Sequence, residues 1–224
     1  MTSARDDIFA TIRSSLGVKG TEATRRQIVA ERLERAPKGL IPARGQVSGK
    51  DIVAVFRTQA ELALATVTEV GSAADVPAAV ADYLRNHNLP ATIRMGEDRR
   101  LEAMPWAATT LDLSRGRSEG SDLNAVSYAF GGVAETGTVV IVSGADNPST
   151  LNFLPDNHIV VISAKDLAGD YEAVWQRVRE TFGKGGMPRT VNLITGPSRS
   201  GDIEQTLLLG AHGPRRLHLV IVKQ

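Results

Sequence analysis

The feature that most constrains this chain is an alternation. Thr138 to Val142, His158 to Ile162, Val191 to Thr195 and Leu217 to Val222 are short β-branched or apolar runs, and the longer amphipathic stretch Tyr171 to Phe182 separates two of them. Runs that are apolar throughout suit strands buried on both faces. Parallel neighbours need crossover connections, so strands alternating with helices imply an α/β fold with a largely parallel sheet covered on both sides. In open sheets of this kind ligands sit beyond the carboxyl ends of the strands.

The first half repeats the alternation less regularly. Ile52, Val55, Phe56 and Ala63 mark a helix from Asp51 to Leu64, and Ala65 to Val70 reads as a strand rich in Thr and Val. Ser72 can cap a helix that includes Val76, Val80 and Leu84, with Asp75 in its first turn and Pro90 beyond its end. Strands follow at Thr92 to Met95 and Thr109 to Leu113. Ahead of all this, Ile8, Phe9, Ile12 and Leu16 fall at helical spacing and Gly17 closes the pattern. Thr21 to Arg35 carries only Ile28, Val29 and Leu33 before Pro37, Gly39, Pro42 and Gly45 break it. Stripes so thin cannot form a core alone, so residues 1–45 are expected to be a helical arm and residues 46–224 the domain proper.

Composition removes several functions. Lys and Arg number 26 against 25 Asp and Glu, so no long-range field draws in nucleic acid or an anionic membrane. With no cysteine, disulfides, thiolate-bound zinc, cysteine-ligated iron–sulfur clusters and a cysteine nucleophile are all excluded. Met1 to Arg13 lacks a signal-peptide apolar region, and no run approaches the roughly 18 apolar residues of a membrane span. A cytoplasmic location is the expectation. No GxGxxG follows a strand, no GxxxxGK[ST] occurs, and no HExxH or close His/Asp/Glu set suggests a metal.

Three segments beside predicted strands hold more glycine, proline and polar residues than connections require. The first runs Gly131-Gly132-Val133-Ala134-Glu135-Thr136-Gly137-Thr138. Its glycines permit close backbone approach, Thr136 and Thr138 offer hydroxyls, and Glu135 offers a carboxylate able to act as base or nucleophile. A tight turn with a solvated glutamate is the plainer account. The second runs from Ala145 through Pro148-Ser149-Thr150 to Leu154-Pro155-Asp156-Asn157-His158. Pro and Asn serve there as turn formers, and His158, heading an apolar strand, is read as a hydrogen-bonded histidine at the core's edge.

The third segment is Thr195-Gly196-Pro197-Ser198-Arg199-Ser200-Gly201-Asp202-Ile203-Glu204-Gln205-Thr206, followed by Leu207 to Gly210, Ala211, His212, Gly213 and Pro214. Here a strand leads into a turn and then a short helix, with Asp202 and Gln205 at capping-box spacing. Backbone N–H groups at such a turn can bind a carboxylate or phosphate, with Arg199 supplying a bidentate fork. Asp202 and Glu204 already complement the helix dipole there and would compete, so a self-capped turn with Arg199 paired to these acids is the alternative. His212, set between Gly210 and Gly213-Pro214, is the preferred general acid or base; a turn histidine bonded to a carbonyl is its plainer account.

Ala134-Glu135-Thr136-Gly137-Thr138, the Leu154-Pro155 to His158-Ile159 segment, and Gly196-Pro197-Ser198-Arg199 through Asp202-Ile203-Glu204 to Gly210-Ala211-His212-Gly213-Pro214 resemble, in order and spacing, the signature of LUD-domain, LutC-like lactate-utilization proteins. The resemblance covers roughly residues 50 to 222. It implies a three-layer α/β/α fold similar to the sugar-phosphate isomerase and CoA-transferase superfold. It also implies a role in oxidising L-lactate to pyruvate with iron–sulfur partner proteins, a dependence that fits a chain without cysteine. Around Asn147 to Asn152, where relatives are expected to carry a Gly-Arg-type loop, this sequence has Pro148-Ser149-Thr150, so no substrate-binding arginine transfers there. Glu135-Thr136-Gly137 is similar to the Glu-x-Gly of CoA transferases, although a shared fold does not transfer a reaction.

The leading expectation is therefore a component of a lactate-oxidising system. Glu135 and His212 are its candidate catalytic groups, and Thr136, Gly137, Thr138, Gly196, Ser198, Arg199, Asp202 and Gly213 its candidate binding residues for lactate or pyruvate. No cofactor or metal is expected on this chain itself, with iron–sulfur clusters expected in its partners, and a homo-oligomer remains open. The alternatives are a non-catalytic metabolite-binding assembly or regulatory subunit and an acyl or CoA transferase using Glu135. Glu135, Arg199 and His212 are expected to converge from separate loops on one pocket.

Overall fold

The structure is a computed structural model in which residues 3–201 and 207–224 are described. Its contacts divide the chain into two units, Met1–Leu40 and Ile41–Gln224.

The first unit holds helices α1 (Ala4–Ser15) and α2 (Ala23–Arg35). Ser3 and Asp6 start α1 with a reciprocal capping box, each side chain bonding the other's backbone N–H. Gly17, at φ 63°, follows the end of α1 in the left-handed conformation that only glycine adopts without strain. Neither helix buries a residue, and Ile8, Phe9, Ile12, Leu16, Ile28, Val29 and Leu33 are all exposed.

The second unit is built on a six-stranded sheet in the order β1 (Thr66–Val70), β12 (Arg216–Val222), β7 (Asn157–Ser163), β4 (Asn124–Tyr128), β2 (Thr92–Met95) and β3 (Asp112–Arg115). Every pairing in it is parallel. A smaller four-stranded sheet runs β8 (Leu167–Ala168), β5 (Gly131–Val133), β6 (Thr138–Val142) and β9 (Val191–Ile194), mostly antiparallel. Among the described residues four α-helices complete it: α3 (Asp51–Leu62), α4 (Val76–Asn86), α5 (Arg99–Glu102) and α6 (Tyr171–Phe182). None of the helices among the described residues is long and apolar enough to cross a membrane.

Side-chain alternation along β7 and β12 organises the core. Ile159, Val161, Val220 and Val222 point to one face and pack with Val80, Tyr83 and Leu84 of α4 and with Leu101 and Trp106. Val160, Ile162, Leu219 and Ile221 point to the other and meet Phe56 and Ala60 of α3 and Val139 and Ile141 of β6. The second covering layer is thus part helix and part sheet. The far side of the small sheet buries Val133 and Val140 against Val174 of α6.

Several elements differ from the sequence expectation. The strand expected at Thr109 to Leu113 lies at Asp112–Arg115, because Trp106–Ala108 forms a 3-10 turn, held by the Trp106 indole N–H donating to the Leu101 carbonyl at 2.6 Å. Asn124–Tyr128 was not anticipated as a strand, its Asn and Ser breaking the apolar run that marks the others. Gly131 to Val133 is itself a strand, and Ala134 to Gly137 is the turn of a hairpin into β6. Arg199–Gly201 (β10) and Leu207–Leu209 (β11) pair as an antiparallel hairpin where a turn into a helix was expected. The expected capping box of Asp202 and Gln205, like Glu204, lies outside the described residues.

Position should decide the cost of a truncation. Leu219→Ala empties a fully buried site facing α3, and by denaturant unfolding should cost about 2–5 kcal/mol. Leu16→Ala, at a residue 67% exposed, should stay within roughly 0.5 kcal/mol.

Candidate functional site

A cavity of about 290 Å³ opens at the amino ends of β7 and β12. It is the edge opposite to the one expected from parallel-sheet precedent. The reason lies in the small sheet: β9 ends there, its continuation Thr195 to Ser198 forms one wall, and the loop His212 to Pro214 leading into β12 forms another.

These walls are held by backbone geometry. Ser198 N–H donates to the Pro214 carbonyl at 2.8 Å, Gly210 N–H donates to the Ser198 carbonyl at 2.9 Å, and His212 N–H donates to Ser198 Oγ at 3.4 Å. The loop is tied in turn to the head of β7, since Arg215 and Arg216 N–H groups both donate to the Asp156 carbonyl. Gly196 has φ 71°, and a Cβ there would stand 1.9 Å from the Ala63 carbonyl oxygen at the end of α3. Glycine at 196 is therefore required by packing against α3, whatever the cavity binds.

The structure brings Arg199, His212, Gly196, Ser198 and Gly213 to this one cavity. Arg199 and His212 are exposed at its rim, and apolar Phe153, Ile194, Pro197 and Leu217 share the lining. Glu135 is not part of that lining. It sits in the β5–β6 hairpin turn, 8% exposed, with its N–H donating to the Gly169 carbonyl at 2.9 Å. A Cβ on Gly45 would come within 2.9 Å of Glu135 Oε2 and 3.3 Å of Asp170 Cβ, so the carboxylate is covered by the segment entering the domain.

Thr136 and Thr138 connect that turn to the cavity. Thr136 Oγ1 lies 2.6 Å from Thr138 Oγ1, both lie within 3.0 Å of the Tyr171 hydroxyl, and Thr138 Oγ1 is 2.6 Å from Thr195 Oγ1. Thr195 lines the cavity. These hydroxyls join the hairpin, the start of α6 and the end of β9. Gly137, at φ 66°, would place a Cβ 2.1 Å from the Ala60 nitrogen, so its lack of a side chain also serves contact with α3. Asp202 lies outside the described residues.

Two lining residues were not among the candidates read from the sequence. Asn152 is 2% exposed and His158 1% exposed, and both line the cavity. His158 shares the β7 face of Val160 and Ile162, which looks toward the small sheet. Its Nε2 is 3.0 Å from Ser127 Oγ, as a hydrogen-bonded histidine at the core's edge should be. Its Nδ1, however, has no partner among the described residues, and neither do the Nδ2 and Oδ1 atoms of Asn152. Buried polar atoms are nearly always paired, so these three unpaired ones stand apart from the rest of the core. The only sequence signal was a polar residue interrupting each apolar stretch, Leu151-Asn152-Phe153 and His158-Ile159.

Burial pushes the His158 imidazole down to about 3. On the opposite face, His218 is stacked on Tyr83 and bonded through Nδ1 to Thr66 Oγ1 at 2.8 Å, and burial followed by the nearby His87 pushes it down to about 4. Among the described residues no group of three or more His, Asp or Glu side chains is placed to hold a metal ion.

Comparison with known proteins places this region in a recognised group. A family model for the LUD domain matches residues 124–222, which contain all the cavity-lining residues. Lactate utilization protein C of Geobacillus kaustophilus is 31% identical over 175 residues, 74% of this chain and 70% of that protein. The protein of the same name from Geobacillus thermodenitrificans is 29% identical over 168 residues, again 74% and 70%. A crystal structure of a DUF162 family protein from Deinococcus radiodurans matches the fold with a TM-score of 0.55 at 24% identity, covering 79% of this chain and 99% of that one.

The two buried histidines set a pH dependence. Their folded pKa values lie below the ordinary 6.5, so as pH falls the unfolded chain takes up protons that the folded chain refuses. Stability should be full above about pH 6.5 and fall from there to about pH 4 for His218 and about pH 3 for His158, by up to about 1.4 kcal/mol per pH unit for each histidine. Urea unfolding at pH 7.5 and pH 5 measures this, and equal free energies at the two would contradict it.

Proposed function

The chain belongs to the LUD-domain family that includes the lactate utilization protein C proteins, and from that premise we propose that it serves lactate utilization by holding a small carboxylate, L-lactate or pyruvate, between Arg199 and His212. The observation that supports this is that these two side chains, carried on separate segments, line one cavity whose floor is polar and buried. A guanidinium meets a carboxylate through two parallel N–H donors. An imidazole beside the C2 hydroxyl can take its proton as base.

Oxidation of lactate to pyruvate removes two protons and two electrons. His212 takes the hydroxyl proton, and the C2 hydrogen leaves with the electrons to an acceptor supplied from outside. Lacking cysteine, the chain cannot ligate an iron–sulfur cluster through thiolates, and in this reading iron–sulfur partner proteins in the cytoplasm carry the electrons onward. Glu135 takes no part, since it is absent from the cavity lining. A non-catalytic metabolite-binding role would use the same cavity, and turnover of L-lactate with an artificial acceptor separates the two.

Arg199→Lys replaces the bidentate fork with a point charge and should weaken lactate or pyruvate binding by about 1–3 kcal/mol, with a smaller change in melting temperature. Unchanged affinity together with lowered stability would assign Arg199 to the scaffold.

The exposed apolar stripes of the N-terminal helices are proposed to serve assembly. Because Ile41 to Gly45 belong to the second unit, a truncation beginning at Ile41 should keep the melting transition of the domain while lowering its association state by light scattering. Loss of the transition would contradict this.

A further inference from the structure

We propose that the cavity is shaped for L-2-hydroxy acids with apolar side chains longer than that of lactate, in the range from 2-hydroxybutyrate to 2-hydroxyhexanoate, with Phe153 and Leu193 as the residues that select for length. This rests on the reading that Arg199 and His212 hold a hydroxy acid there, and it makes lactate the smallest member of the ligand class.

Lactate is small for this cavity. It has as many non-hydrogen atoms as benzene, for which an apolar cavity of about 150 Å³ is enough. The cavity here measures about 290 Å³, so a lactate anchored at Arg199 and His212 leaves about half of it, and the wall around that half, uncovered.

Away from the rim the wall is largely apolar. Phe153 comes from the turn ahead of β7, Leu193 and Ile194 from β9, Pro197 from its continuation, and Pro214 and Leu217 from the entry to β12. Most polar side chains in the same lining are already committed or closed off. Thr195 Oγ1 lies 2.6 Å from Thr138 Oγ1, and Ser198 Oγ accepts from the His212 N–H. The Asn152 amide and His158 Nδ1 have almost no exposed surface, and His158 Nε2 is bonded to Ser127. Among the described side chains this leaves Arg199 and His212 to meet the polar end of a ligand. Small-molecule sites combine an apolar wall with a few polar groups that fix orientation in this way.

Two of the wall residues are exposed where folding alone gains nothing from it. Phe153 is 47% and Leu193 43% exposed, in the lining that also contains Arg199 and His212. Covering such surface is favourable in proportion to the apolar area removed from water. A 2-hydroxy acid held by its carboxylate at the guanidinium and by its hydroxyl at the imidazole has one heavy substituent left on C2, and that substituent is the group available to the apolar wall. In lactate it is a single methyl. An ethyl, propyl or butyl group there covers progressively more of Phe153 and Leu193 without disturbing the polar end.

The test is calorimetric titration of the full chain at pH 7 with the L isomers of lactate, 2-hydroxybutyrate, 2-hydroxyvalerate and 2-hydroxyhexanoate. Affinity should rise by about 2- to 4-fold with each methylene, the upper figure being that of complete burial, so that 2-hydroxyhexanoate binds about 10- to 60-fold more tightly than lactate. The heat capacity change of binding should become more negative along the series. Phe153→Ala and Leu193→Thr, each checked for an intact melting transition, should each reduce that span by about 3-fold or more. Leu193→Thr places a strand-favouring residue at an exposed strand position and keeps the comparison if Phe153→Ala does not fold. Affinities that stay level or fall with length, or a span that neither variant reduces, would overturn the proposal while leaving the small-acid reading in place. Failure of the wild type to bind any of the four acids, or binding of all four that is indifferent to Arg199→Lys, would overturn that reading and this inference with it.

Discussion

Everything in the second unit depends on the parallel pairing of β7 with a neighbour on each side. β7 pairs along its whole length with β12 and over five residues with β4, so the amino ends of all three strands meet at one edge. Asparagines lock that edge. Asn157 Nδ2 donates to the Leu123 carbonyl and to Asn124 Oδ1, Asn124 Nδ2 donates to the Pro90 and Thr92 carbonyls, and Arg216 donates to Asn157 Oδ1. With the register fixed, His158 and His218 lie at adjacent levels on opposite faces of the sheet, one toward the cavity and one under α4.

Much of this fold was legible because its strands are chemically uniform. The runs at 138–142, 158–162 and 217–222 are buried on both faces, and uniform burial leaves an unbroken apolar signature in the sequence. Asn124–Tyr128 is equally buried but contains Asn and Ser used for hydrogen bonds, which hid it. The hairpin at Arg199 and Leu209 was hidden for another reason: the residues between the strands carry helix-capping spacing, and pairing is set by a partner strand that local propensity does not register.

The site divides along the same line. Loop residues flanked by glycine and proline, such as Gly196, Ser198, Arg199, His212 and Gly213, stand out in a sequence, and their segments do border one cavity. Asn152 and His158 do not stand out, because an asparagine in a turn and a histidine heading a strand each have an ordinary local explanation. What marks them is a missing partner, and that is visible only once the chain has closed around them. Such atoms cost stability in the ligand-free molecule. An apolar pair at these positions would make a firmer core.

The contacts of α3 with Gly137 and Gly196 have a consequence for how this molecule can change over evolutionary time. The last turn of that helix is a common gauge block for two features far apart in sequence, the hairpin turn that holds Glu135 and the cavity wall that leads to Arg199. A substitution at the rim can retune the cavity alone, whereas one residue inserted near Ala60 or Ala63 would displace both features together. In a chain of this architecture the loops can change with less disturbance than the length of α3.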